Sequence, residues 1–544
     1  MFLYLKYQSK KVLLIGLVSF LISNNSFKCF PESDNSQTNP DNKEITLKAE
    51  IIRDSKDISF LSLEEALKEA AQNNLELQIQ DKAKTISGLD YQISKGLYAP
   101  ILGAETFFQN QKTPVANLFA NAPNGRLIEE SWEINPYLSG VLPFGTKYNL
   151  NFDNSRLRNN NNFQVLRPEN ASILTFSIAQ PLLKGFWMND NRRQVKTLKL
   201  NKDLADYNFQ RKLQDTLYKT ATTYWDLLLA YKNIDIKRES VDLANEQLNR
   251  TSRLAEIGSM PKIEIVSAEA ELEKRKEEVA QAQEQLFRAE NSLKLLIAPS
   301  VDSFYWQKKV KPTEILKPEP NDISIEKALE ASLMRRPEFF EIKKKLELKE
   351  LDKKYYINRG LPQLDLIGSY STQGLAGKPQ TISNNNFGNG NSVRDRFRGD
   401  YIDNLENLAS QDFNTIKIGL NMSWPISPQI TTKTLKKVKL EKEQLDLEFM
   451  NLEQVVKADI ANAFNAILTA QARIDSSTAS LKASERQLNA EILKFKSGLS
   501  TNFLVLTRQN DLSLARLRLA NATTDYNKAV SELEKASGLI VDKI

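Results

Sequence analysis

Residues 186–257 contain neither glycine nor proline, and from residue 429 to the C-terminus there is no proline and only Gly498 and Gly538. Nothing in the first stretch, and nothing before Gly498 in the second, ends a helix. Arg192 to Glu256 alone predicts roughly 65 helical residues, about 100 Å at about 1.5 Å per residue, several times the usual length. Leu217, Ala221, Tyr224, Leu228 and Tyr231, and then Val241, Ala244, Leu248, Thr251 and Ala255, step in threes and fours. That period of about 3.5 is coiled-coil packing, and a compact domain cannot hold such a rod.

Gly258 and Gly498 each stop a long helix, where glycine takes a left-handed cap without steric cost. Roughly 36 helical residues follow each of them, so both are tips of helical hairpins; Pro261 suits the first turn of the returning helix. The chain also repeats itself. Ser62-Leu63-Glu64-Glu65-Ala66-Leu67 recurs 262 residues later as Ser324-Ile325-Glu326-Lys327-Ala328-Leu329, and the same offset carries Pro100 onto Pro362. An offset of 240 superposes Ile234-Asp235 on Ile474-Asp475, Gly258 on Gly498 and Leu293 on Leu533. Each unit reads helix, β-rich insert, long helix, tight turn, helix. Ser62 and Ser324 cap the first helices, with Glu65 completing a capping box in the first copy.

Within the inserts the period changes to two. Leu174, Phe176 and Ile178 alternate with polar residues up to Pro181, as do Ile416, Ile418, Leu420, Met422 and Trp424 up to Pro425. Four strands are clear, at about 101–110, 172–181, 363–371 and 414–424, with strand–helix corners at Pro100, Pro181, Pro362 and Pro425. A further hairpin runs from Trp132 to Leu142 and Lys147 to Phe152, and the sequence leaves open whether it joins the others. A soluble half-buried sheet alternates in the same way, but the context favours a membrane barrel. Trp132, Tyr370, Trp424 and the Phe186-Trp187 pair stand near strand ends, where an interfacial girdle belongs.

The N-terminus places Lys6, Lys10 and Lys11 before an apolar run from Val12 to Ile22, the layout of a secretory signal and too short to span a bilayer. A lipoprotein signal would put small residues before Cys29, where Phe27 and Lys28 stand. The expected organisation is a signal at 1–25, a flexible tether at 26–60, a first unit at 61–298 with its β insert at about 101–185, a linker at 299–323, and a second unit at 324–540. The second insert spans about 363–425, with a flexible loop at about 372–412 whose Arg394, Arg396 and Arg398 read as a solvated charge run.

Composition removes most enzyme chemistry. There is no histidine and a single cysteine, so the commonest general base and the usual metal ligands are missing. No phosphate loop, nucleophile elbow or dinucleotide fingerprint is present. A net charge of +6 from 74 basic and 68 acidic residues is no nucleic-acid signature. Neither cofactor nor metal is expected.

Leu61-Ser62-Leu63-Glu64-Glu65-Ala66-Leu67 with Asn73-Asn74, Gln180-Pro181-Leu182-Leu183-Lys184-Gly185-Phe186, and Gly498-Leu499-Ser500-Thr501 followed by Ala515, Leu519, Ala522, Tyr526, Ala529 and Leu533 carry a family resemblance in order, duplication and spacing. The chain resembles the TolC-type outer-membrane efflux proteins (outer membrane factors). That resemblance implies a mostly α chain with a membrane β-barrel: a homotrimer whose subunits each give four strands to a twelve-stranded barrel, continued by a long α-helical coiled-coil barrel in the periplasm. It implies an outer-membrane duct of a tripartite efflux or type I secretion system, meeting a periplasmic adaptor (membrane fusion) protein and, through it, an inner-membrane transporter.

The resemblance further assigns adaptor contact to the hairpin tips, here Gly258 and Ser259 in the first unit and Gly498, Leu499 and Ser500 in the second. Known members narrow the aperture with aspartate rings at positions that here hold Leu504 and Thr507, so Glu264 becomes the candidate for an acidic ring. A soluble or peripheral coiled-coil scaffold, its alternating segments being ordinary hairpins, is the competing account, and membrane fractionation separates the two.

Overall fold

The computed structural model describes residues 58–115, 123–161, 163–320, 323–380, 393–424, 426 and 429–544. The signal, the tether up to residue 57, Cys29 and Pro425 lie outside the described residues. A short strand β1 (Ile58–Leu61) precedes helices α1 (Leu63–Asn73) and α2 (Leu75–Lys95). Strands β2 (Ile101–Pro114), β3 (Arg126–Val141), β4 (Lys147–Asn159) and β5 (Leu166–Pro181) follow, and then the hairpin of α3 (Asp190–Glu256) and α4 (Ile263–Ile297). Helix α5 (Phe304–Gln307) and strand β6 (Lys309–Pro312) lead into the second unit. That unit comprises α6 (Ile325–Arg335), α7 (Pro337–Arg359), β7 (Gln363–Pro379), α8 (Tyr401–Ala409), β8 (Asn414–Ser423), α9 (Gln429–Lys496) and α10 (Asn502–Ser537).

The two units match in length as well as order. Helices α3 and α9 have 67 and 68 residues, and α4 and α10 have 35 and 36. Ser62 forms the expected capping box with Glu65, and Ser324 accepts from the Lys327 amide. The helices stand as four columns. Column one is α2 on top of α4, joined where Asn74 Nδ2 donates to Leu296 O at 3.1 Å; α3 is the second. The third is α7 on top of α10, and α9 is the fourth, packed on both. No helix among the described residues is long and apolar enough to cross a membrane.

Apolar burial concentrates where stacked helices meet. Leu217, Ala221, Tyr224 and Leu228 of the predicted seam are buried, with Trp225 beside them, against Leu67, Leu293, Ile297 and Val310. The second unit builds the equivalent cluster from Val456, Ile460, Ala463, Ile467, Ala522 and Leu533. Two connecting segments are more ordered than the sequence suggests. Ile58–Leu61, at the end of the expected tether, pairs in parallel with Lys309–Pro312 of the expected linker. Tyr224 and Tyr231 fasten this ribbon to α3, donating to Leu61 O and Val310 O, each at 3.0 Å.

The strand count also differs from four. The hairpin β3–β4 is hydrogen-bonded on both sides, giving one antiparallel six-stranded sheet in the order β2-β3-β4-β5-β7-β8. Sequence alternation located the hairpin, but only its pairing with β2 on one side and β5 on the other places it in the wall. The expected loop at 372–412 is likewise partly regular, since β7 continues to Pro379 and α8 lies within it. Gly374 makes room for that helix, because a Cβ there would sit 2.2 Å from Asn404 O.

Glu534, buried near the end of α10, lies 2.8 Å from Lys543 Nζ. Burial raises its carboxyl above the ordinary range, and Lys543 offsets only part of that. A carboxyl raised in the folded state costs stability at neutral pH; the cost shrinks as pH falls through the folded value and is gone below the unfolded one. Glu534→Gln is therefore expected to raise the melting temperature of the detergent-solubilised protein near pH 7, with the gap from wild type closing by about pH 4. Equal gaps at both pH values contradict this.

Candidate functional site

The sheet register sorts every strand residue onto one of two faces. Phe176 stands opposite Leu150 on one side and Tyr370 on the other, and Tyr370 stands opposite Ile416. Leu102, Leu138, Ile178, Leu366 and Leu420 lie on the same face, so an apolar surface runs unbroken across all six strands. The opposite face carries Gln109, Ser131, Asn149, Ser177, Ser369 and Asn421. It also carries Glu105, Glu129, Glu133, Asp153, Glu169 and Asp365 against Lys147 and Lys417, an acidic wall. Phe108 and Trp132 pair across β2 and β3 with ring centroids 4.7 Å apart, at the outer end of the apolar face. Among the described residues the outermost strands β2 and β8 have no further partner in the sheet, and β8 is exposed at every residue.

At the helix end, Pro100 and Pro362 directly precede β2 and β7, and Pro181 closes β5, as the corners require. The turn after β3 presses against residues 182–189. A Cβ on Gly145, whose φ is +85°, would lie 2.5 Å from Gly185 O. Asn189 Nδ2 donates to Pro143 O at 2.9 Å, and its Oδ1 accepts from the Arg192 amide to start α3. Beneath this turn, burial would lower the Arg193 guanidinium, but the hydrogen bond and charge of Asp352 at 2.7 Å outweigh it and hold the group above its ordinary value. Burial, then the Asp190 carboxylate, pushes the Tyr355 hydroxyl up to about 12.

The hairpin tips lie at the other end of α3 and α9, about 100 Å away by helix length. Gly258 and Gly498 have φ of +71° and +73°, and in each the following amide reaches back to the helix: Ser259 N to Leu254 O and Leu499 N to Lys494 O, both at 2.9 Å. Leu499 is 80% exposed, and Ile257, Ile263 and Phe503 are also exposed. Ser500 donates its hydroxyl to Glu491, so the side chain is held. Glu264 sits in the first turn of α4, half exposed, with no ion pair among the described residues. Leu504 and Thr507 stand in the first turns of α10.

A polar clasp between the hairpins escaped the sequence reading. Asn502 is buried, and its Oδ1 accepts from Gln247 Nε2 at 2.9 Å and from Thr251 Oγ1 at 3.2 Å. Gln509 Nε2 donates to Leu243 O, and the buried Arg275 reaches Leu506 O at 3.3 Å as well as Ser240 and Glu271. Thr251 lies on the predicted heptad, but only the folded hairpins bring it and Gln247 to Asn502.

A two-faced sheet continued by a column of helices, with exposed glycine turns at the far end, defines a membrane pore joined to a helical duct. The chain belongs to the outer membrane efflux protein family, whose model matches residues 146–298 and 333–539. It is 21% identical over 346 residues to outer membrane protein TolC of Vibrio cholerae, covering 62% of this chain and 71% of that one. Among solved structures, the CmeC outer membrane channel of Campylobacter jejuni aligns with a TM-score of 0.61 at 16% identity over 93% of this chain and 94% of that one. Outer membrane protein VceC of Vibrio cholerae aligns at 0.61 and 15%, over 88% and 96%. The protein is thus an outer-membrane efflux channel whose helical tunnel stands in the periplasm.

Asn502→Leu removes the acceptor that Gln247 and Thr251 share, leaving buried donors unpaired at a cost of about 1–3 kcal/mol. Amide exchange should quicken at residues 240–255 and 500–512 while the sheet is unaffected. Unchanged protection at the tips would show that the clasp contributes nothing.

Proposed function

We propose that three copies of this chain close one barrel, with β8 of each copy pairing with β2 of the next, and that the helical columns below form one continuous tunnel. The observation that carries this is the unbroken apolar face bounded by two unpaired edges, because in lipid an open edge leaves backbone groups without partners. The helices repeat the pattern beneath. Ile79, Ile86, Leu89 and Ile93 are exposed on α2, which leads into β2, and Ile430, Leu440, Leu447 and Met450 are exposed on α9, which leaves β8. Each stripe stands under its own sheet edge, so closing the sheet brings α2 of one copy against α9 of its neighbour.

Six strands from each of three copies make an eighteen-stranded barrel instead of the twelve that four strands per chain would give. Diameter grows with strand number, and barrels of about 16–18 strands leave an aqueous channel. Substrates pass without covalent chemistry through this water-filled path, whose selectivity comes from lumen charge and from a constriction at the tips. Gly258, Ser259, Gly498, Leu499 and Ser500 are the adaptor contacts, with the exposed Leu499 as the apolar anchor. The adaptor links the duct to an inner-membrane transporter in a tripartite efflux or type I secretion assembly. Glu264, one from each copy, supplies an acidic ring at the aperture.

In a Cys29→Ser background, cysteines scanned over residues 109–113 of β2 and paired with one at Lys417 of β8 should give a cross-linked trimer in at least one register. Absence of inter-subunit cross-links in every register would sink the closed barrel. Single-channel recording should show cation preference, reduced when Glu105, Glu129, Glu133 and Asp153 are made amides. Glu264→Ala should lower it further, and an unchanged preference would discard the Glu264 ring.

A further inference from the structure

The outer end of the lipid-side face holds a feature that the duct does not use. Helix α8 lies across β5 and β7 on that face and buries Asn404, Asn407 and Leu408. Asn404 Nδ2 donates to Ser172 Oγ at 2.6 Å, Tyr401 Oη to Asn154 Oδ1 at 2.8 Å, and Thr372 Oγ1 to Leu408 O at 3.1 Å. Ile402, on the opposite side of the helix, is 70% exposed. The helix thus meets the sheet through two asparagines and Leu408, while Ile402 and Glu406 face outward.

Between the start of α8 and the sheet lies an open cavity of 700 Å³. Its floor is apolar, from Trp132, Ile134 and Phe152, and its rim carries Arg156 and Lys378. Neither cation has an acid within ion-pair distance among the described residues. Asp400 also lines the cavity, but its carboxylate is engaged in a reciprocal capping box with Asp403 at the start of α8. Arg156 is nine residues along β4 from Lys147 at the helix end. At about 3.3 Å per residue and a tilt of about 40°, that is a height of about 23 Å, close to the top of the apolar band of about 25 Å. The cavity therefore opens at the level of the outer headgroups.

We propose that this cavity binds a phosphate-bearing lipid of the outer leaflet, its acyl chain lying on Trp132, Ile134 and Phe152 and its phosphate between Arg156 and Lys378. A cation at the edge of hydrocarbon needs a counter-charge, neither Arg156 nor Lys378 has an ion pair among the described residues, and a phosphate accepts charge-assisted hydrogen bonds from both groups. The proposal rests on the membrane placement of the sheet.

The test is native mass spectrometry of the detergent-extracted wild type, and of an Arg156→Gln/Lys378→Gln double variant, after incubation with phosphatidylcholine vesicles doped with lipid A, either bisphosphorylated or with its phosphates removed. Lys417→Gln, on the lumen face, serves as the control. Wild type and control should retain the bisphosphorylated lipid, the double variant should lose about tenfold or more of it, and the dephosphorylated lipid should bind as weakly to wild type as to the double variant. Excess inorganic phosphate should not displace the lipid. Equal retention by wild type and double variant, equal retention of the two lipids by wild type, or displacement by free phosphate would each overturn the site. Unboiled gel mobility on the same samples separates this outcome from failure of the barrel, since an intact oligomer without bound lipid refutes the lipid site alone.

Discussion

Among the described residues, the backbone amides and carbonyls along the outer edges of β2 and β8 have no partner within the sheet, and a bilayer supplies no water to replace one. The apolar face is continuous up to both edges, which is why we propose that another copy of the chain joins there. The aliphatic stripes of α2 and α9 are likewise exposed, and in the proposed assembly they would pack on each other. In the proposed assembly, hydrogen bonding would set the join in the membrane and hydrophobic burial would set it in the periplasm.

The passage from strands to helices is where period two gives way to period 3.5, and it is held by backbone geometry more than by apolar burial. Gly145 and Gly185 allow the β3–β4 turn to press on residues 182–189, Asn358 Oδ1 accepts from Gly185 N at 2.7 Å, and Asn189 serves both the turn and the cap of α3. The inserted hairpin is thereby tied to the top of the helical column at its inner end. Glu129, Glu133 and Asp153 of that hairpin add to the acidic side of the sheet, so its insertion changes both the strand count and the charge of the wall.

At the far end the two hairpins are nearly identical in backbone and different in chemistry. Both glycines cap their helices in the same way, yet Leu499 is exposed and Ser500 is tied to Glu491, while Met260 of the first turn packs into the tip cluster with Phe495 and Val505. The repeated glycine gives both tips the same turn, and the side chains around it differ. The clasp of Asn502, Gln247 and Arg275 then links one hairpin to the other through buried polar contacts, which are costly to leave unpaired and so hold the tips in one relative position.

Much of this was legible in the chain by itself because it depends on local periodicity. The glycine- and proline-free stretches set the lengths of α3 and α9, Gly258 and Gly498 set the turns, the repeat set the order of elements, and alternation set which strand residues are apolar. What alternation could not decide is which strand lies beside which, since β3 and β4 satisfy period two equally well as a detached hairpin or as the middle of a six-stranded wall. Nor could it reveal that α8 turns its asparagines inward, or that Asn502 sits between Gln247 and Thr251. Those contacts join residues hundreds of positions apart, and only the folded chain, by closing its backbone hydrogen bonds and burying its polar groups in pairs, selects one set of partners from the many that local pattern allows.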